Sequence, residues 1–149
     1  MLAARSRLLL VTIWAGSLWS IGYLVAPTLF ATLSDRALAG TIAGSLFHIE
    51  SWISLACAVL LLALLKWGAA DLAWRARRTL ALVVLAMLLC SLITQFAIFP
   101  MVAALREAAG PGGVAGSPVA ARFGMLHGVS MLIYLVQSVL AVVLVWKQK

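Results

Sequence analysis

The chain has 149 residues, 65% of them hydrophobic and 10% charged, with a formal net charge of +7 and a mean hydropathy of +1.14. Soluble domains average about 45–50% apolar and about 25% charged residues, so a soluble chain of this size could not hide so much apolar surface. The composition excludes a soluble domain and, with it, a nucleic-acid partner; the lipid bilayer is the expected surrounding.

Four stretches are long and apolar enough to cross a bilayer, which takes about 20 residues each. They predict helices at roughly 8–33, 38–66, 79–105 and 122–146 within a single domain, 1–149. The fold class is therefore all-α, an integral-membrane up-down-up-down four-helix bundle, because short connections make sequential helices antiparallel neighbours.

The first helix follows the basic start "MLAARSR". Its uncharged run exceeds the 7–15-residue apolar core of a signal peptide, and it is read as a retained span that ends near Pro27. In the loop that follows, "SDRALAG", Ser34 or Asp35 is suited to cap the second helix. The second helix opens with the GxxxG pattern Gly40 and Gly44, and His48 continues that face one turn on. The third is expected to end near Pro100, with "MVAALREAA" able to continue beyond a kink. The loop "GPGGVAGSPVA" is the one segment whose composition argues against regular structure. The fourth helix carries His127 and Ser130. No internal repeat is evident.

Basic residues set the orientation. Arg5, Arg7, Lys66, Arg75, Arg77, Arg78, Lys147 and Lys149 fall on the side of the two termini and the middle loop, against Arg36, Arg106 and Arg122 on the other. By the positive-inside rule both termini face the cytoplasm, across an inner (plasma) membrane. Cys57 and Cys90 lie inside spans and are read as small packing residues.

In lipid, helices pack through small and polar residues, since apolar side chains meet tails equally well. Gly16, Pro27, Gly40 and Gly44 are accordingly expected at helix contacts. His48 and Glu50 are two residues apart, so they diverge by roughly 160° around the helix and do not chelate one ion from one face. If His48 lies on the small-residue face, Glu50 points to the flank or to a partner. By helical rise, His48 lies about 12 Å and His127 about 8 Å from the outer side. Tyr23, Thr94 and Gln95 are expected at similar depth, with Ser130 one turn from His127 and Glu50 slightly deeper. An interhelical polar cluster in the outer half is the chemical centre this predicts. An acid inside a span is costly and marks a functional site by default.

The segments "GYLVAPTLFATL", "AGTIAGSLFHIE", Pro100 followed by "ALRE", and "RFGMLHGVSMLIYLV" occur in order. Over nearly the whole chain this resembles the uncharacterised four-span family that includes bacterial small membrane proteins and eukaryotic transmembrane protein 205. The resemblance rests on Pro27, Phe30, Ala39, Gly40, Gly44, Leu46, Phe47, Leu126, His127 and Ser130. It implies a four-helix membrane protein and no particular activity. A weaker similarity, in size and in helices that open with small residues, is to four-helix membrane proteins that bind haem or copper. Those place a histidine in an early helix, and the first helix here has none.

Three functions compete. The first expected is an interaction or assembly subunit, docked on another membrane protein or on copies of itself. The second is a haem- or metal-binding protein, with His48 and His127 as ligands from facing helices, as a b-type haem needs. The third is a small oligomeric transporter or an enzyme on a lipid-soluble substrate. No catalytic residue set, nucleotide loop or zinc motif is present, so enzyme chemistry is not expected.

Overall fold

A computed structural model describes residues 2–110 and 113–148. Lys149, counted above among the basic residues, and positions 111 and 112 of the outer loop lie outside the described residues, as does Met1. Four helices long and apolar enough to cross a membrane make up the molecule: α1 (Leu2–Thr32), α2 (Arg36–Trp67), α3 (Trp74–Ala109) and α4 (Ala120–Trp146). They form a ring in which α1 and α3 each pack on α2 and α4, the up-down-up-down bundle expected.

Neither proline ends its helix. In α1 a π turn at Ser20–Val25 precedes Pro27, and in α3 a π turn at Thr94–Ile98 precedes Pro100. The wider turn closes N–H bonds five residues back, from Ala26 to Ile21 and from Phe99 to Thr94. Each proline then sits in the first turn of the helical segment that follows, where its missing N–H has no carbonyl to serve. So α1 runs on to Thr32 and α3 to Ala109. Of the two capping candidates Asp35 acts, its Oδ1 accepting from the backbone N–H groups of Ala37 and Leu38 at 2.8 and 3.1 Å. Gly110 and Gly116 of the outer loop take positive φ angles of 69° and 79°, a region where a side chain would be strained.

Helices α1 and α3 share one register of burial. Buried Arg7, Val11, Trp14 and Leu18 of α1 recur at one constant interval as buried Leu80, Val84, Met87 and Ser91 of α3. Pro27 and Pro100 are separated by that same interval, and His48-x-x-Ser51 of α2 has its counterpart in His127-x-x-Ser130 of α4. The buried side chains of α1 and α3 differ while their register holds, so for these two helices the pattern of burial reveals what side-chain identity does not.

The apolar core occupies the half nearest the termini, around Trp14, Leu61, Leu80, Val84, Met87 and Leu144. Buried Arg7 closes that end. Its guanidinium donates to both Asp71 oxygens, at 3.1 and 2.6 Å, and to the Gly68 carbonyl at 3.4 Å. This clamps the start of α1 to the α2–α3 loop. The half away from the termini is open by comparison: no residue between Phe99 and Ala109, and none in α4 before Gln137, is buried.

Candidate functional site

The buried stripe of α2 runs through Ala39, Ala43, Glu50, Ser54, Cys57, Leu61 and Leu65. These positions recur at the three-, four- and seven-residue intervals of one helix face. Glu50 is thus turned into the bundle, with 3% of its surface exposed. This corrects the expectation that it points to the flank or to a partner.

Around it the four helices each deliver one polar group or more. Ser54 Oγ donates to Glu50 Oε1 at 2.6 Å, one turn along α2. The same hydroxyl accepts from Trp14 Nε1 of α1 at 2.7 Å and from Gln137 Nε2 of α4 at 3.2 Å. A serine hydroxyl has one proton and two lone pairs, so Ser54 is saturated and its proton is committed to the carboxylate. Gln137 Nε2 donates its second hydrogen to Ser91 Oγ of α3 at 3.0 Å, and Ser91 Oγ donates to the Met87 carbonyl at 3.1 Å. Ser51 Oγ donates to the Ser91 carbonyl at 3.5 Å. One serine therefore ties the acid to three helices.

Two features leave this centre incomplete. Among the described residues no Lys, Arg or His lies within ion-pair distance of Glu50; the ion pair found there is Arg7–Asp71. Gln95, one turn outward from Ser91 in the α3 π turn, is buried with its Oε1 unpartnered. Ser138 Oγ of α4 is unpartnered as well. Buried polar groups are ordinarily hydrogen-bonded, so these two atoms stand out from the satisfied network around Ser54.

At the matching π turn of α1, Tyr134 of α4 closes over Gly22. Its hydroxyl donates to the Leu18 carbonyl, and a Cβ on Gly22 would collide with its ring. Tyr23 and Phe47 meet the ring edge-on, with centroids 6.3 and 5.1 Å away.

The expected outer cluster does not assemble. His48 is exposed; its Nε2 accepts from Trp52 Nε1 at 3.3 Å and its ring lies 5.2 Å from that of Phe99. His127 is also exposed, stacked at 6.4 Å on Phe123. No contact joins the two imidazoles. Tyr23 is exposed, while Thr94 and Ser130 are half-buried; of the outer set only Gln95 and Glu50 are interior. The packing glycines differ from expectation too. Gly16 has nothing within 4 Å of a built Cβ, and Gly40 and Gly44 are covered by side chains rather than by a neighbouring helix. Phe30 stands over Gly40 and Arg106 over Gly44, with Arg106 also donating to the Gly40 carbonyl at 3.2 Å while standing 5.9 Å from the Phe123 ring. Pro27 is exposed.

Trp14, Ser54, Ser91 and Gln137 do not figure in the cluster the sequence predicts. The signal available was the Glu50/Ser54 spacing of four residues, which places both on one face.

The family described as a domain of unknown function, DUF4149, matches residues 9–111. The chain belongs to the DUF4149 family. The matched stretch contains Trp14, Glu50, Ser54, Ser91 and Gln95 of this DUF4149 chain and ends before α4, which brings Tyr134 and Gln137. No curated protein matches the chain, and no solved structure does.

Proposed function

We propose that this protein is a multi-pass inner-membrane protein, with both termini in the cytoplasm, that binds a small cationic or hydrogen-bond-donating solute at Glu50. The observation that carries the reading is a carboxyl group inside the bundle with no cationic partner among the described residues. An unpaired charge is costly in low dielectric, and a bound cation or donor offsets that cost. The unpartnered Gln95 amide oxygen supplies a second acceptor of the same preference. Membrane carriers built from repeats place their sites where helices of the two halves are interrupted in corresponding positions. The π turns before Pro27 and Pro100 are such interruptions, and the open outer half gives a route from that side. Four spans are few for a carrier, so the working unit would be an oligomer.

The test is thermal unfolding in mild detergent against a panel of monovalent cations and small amines, for the wild type and Glu50→Gln. A member of the panel is expected to raise the wild-type Tm and leave Glu50→Gln unmoved. A panel without effect on either would overturn the reading.

A second reading, an interaction or assembly subunit, is favoured by the exposed side chains of His48, Trp52 and Phe96 on α2 and α3. Polar and aromatic groups facing lipid are more economically covered by another membrane protein. A stoichiometric partner that co-purifies with the wild type and is lost in His48→Ala/Trp52→Ala would favour it. Kinship with transmembrane protein 205 belongs to the same proposal. The haem or metal reading finds no support in the geometry, because His48 and His127 are not brought together.

A further inference from the structure

At the end of the bundle that carries both termini, a cavity of about 340 Å³ lies between the first turns of α1, the α2–α3 loop and the end of α4. Its polar lining is Arg5, Arg7, Asp71 and Gln148, and its apolar lining includes Leu8 and Leu72. Asp71 places both oxygens on the Arg7 guanidinium, so its charge is matched within the site. Arg5 has no acidic partner among the described residues, which leaves the cavity with one excess positive charge. Arg7 is 3% exposed and its Nε–H has no acceptor, so a buried donor in the wall is unsatisfied. Gln148 uses one amide hydrogen on the Leu144 carbonyl, at 3.1 Å, and retains a second.

Location narrows the ligand further. Trp67, Trp74 and Trp146 stand exposed at this end, at 76%, 71% and 79%. Tryptophan in that position marks headgroup level, so the cavity opens where lipid phosphates lie. Basic pockets between spans at that level suit phosphorylated headgroups.

We propose that this cavity is a binding site for the phosphate of a phospholipid headgroup, held by Arg5 and Gln148 beside the Arg7–Asp71 pair, with the glycerol and upper acyl carbons against Leu8 and Leu72. The site is independent of Glu50, which lies in the bundle interior, and stands or falls separately from the function proposed there.

Native mass spectrometry in an uncharged detergent tests it, because no membrane surface potential is then present to attract lipid unspecifically. Phosphatidylglycerol would be titrated onto the wild type, Arg5→Gln and Arg78→Gln, the last removing a charge from the same end but outside the cavity. Both variants keep the Arg7–Asp71 clamp. Loss of a charge-assisted hydrogen bond should weaken lipid retention about tenfold in Arg5→Gln, with Arg78→Gln matching the wild type and diacylglycerol binding far more weakly. Competition by millimolar inorganic phosphate, itself lost in Arg5→Gln, would uphold the phosphate site and assign it to free phosphate. Equal retention by the two variants, or equal binding of diacylglycerol, would overturn the proposal.

Discussion

Ser54 holds the polar centre together because one hydroxyl serves three partners on three helices. In Ser54→Ala the Trp14 indole N–H loses its acceptor and Glu50 its donor. Interhelical hydrogen bonds in lipid average about 0.6 kcal/mol, whereas stranding buried donors costs about 1–3 kcal/mol. Unfolding in detergent should therefore show a loss near 2 kcal/mol; a loss no larger than that of Gly16→Ala, where the added methyl meets open space, would remove Ser54 from its central role. Gly22 makes the opposite kind of demand. The Tyr134 ring occupies the volume of its absent side chain, so Gly22→Ala should destabilise by about 1–3 kcal/mol through overpacking. Tyr134→Ala removes the obstacle, and a double-mutant cycle should show the two losses to be less than additive. Strict additivity would mean that the two residues do not touch.

At the scale of the element, hydropathy was enough to find all four helices, because apolar length in lipid is an almost sufficient condition for a span. It gave no information on which way each helix faces. In water an apolar stripe marks the core, but a helix in lipid is apolar all round. The phase of α2 was therefore taken from Gly40, Gly44 and His48, whereas the buried stripe runs through Ala39 and Ala43, about 100° from those glycines, and Glu50, about 160° from His48. Small residues were a fair guide, since Ala39 and Ala43 are small as well; glycine was simply the wrong member of each adjacent pair. Phe30 over Gly40, and Arg106 reaching back from α3 to cover Gly44, could not be foreseen from spacing. The prolines misled for a related reason. A proline inside a helix costs about 3 kcal/mol or more, yet a preceding π turn resets the hydrogen-bond frame and turns Pro27 and Pro100 into first-turn residues. Pro100→Ala is accordingly expected to change unfolding stability by less than about 1 kcal/mol. A gain of about 3 kcal/mol would show that the helix is broken there after all.

The molecule as a whole is a ring that is tight at the terminal end and open at the other. Four spans place both termini on one side, and that much was readable from hydropathy alone. The Arg7–Asp71 clamp was not, because an arginine within the first turns of a span reads as a topology signal before it reads as a partner. The Arg7 guanidinium hydrogen-bonded to Asp71 holds that carboxyl below the usual aspartate range. A carboxylate with a lowered folded-state value contributes stability above its unfolded pKa of about 3.9 and loses it as the pH falls. The Tm difference between wild type and Asp71→Asn should therefore be constant from pH 7 to about pH 5 and shrink below about pH 4. A difference that grows on acidification would contradict the clamp.

The central claim is that α2 turns Glu50 inward and His48 outward. A nitroxide scan from Leu46 to Ser54 in a bilayer, in a background lacking Cys57 and Cys90, reads that phase directly through oxygen accessibility, which is high in lipid and low inside the bundle. Because the period is read over nine positions, disturbance by any single label does not decide the outcome. Minima at Glu50, Ser51 and Ser54, with maxima at His48, Ile49 and Trp52, are predicted. A minimum at His48 with Glu50 as accessible as Trp52 would contradict the account and return Glu50 to the lipid-facing surface.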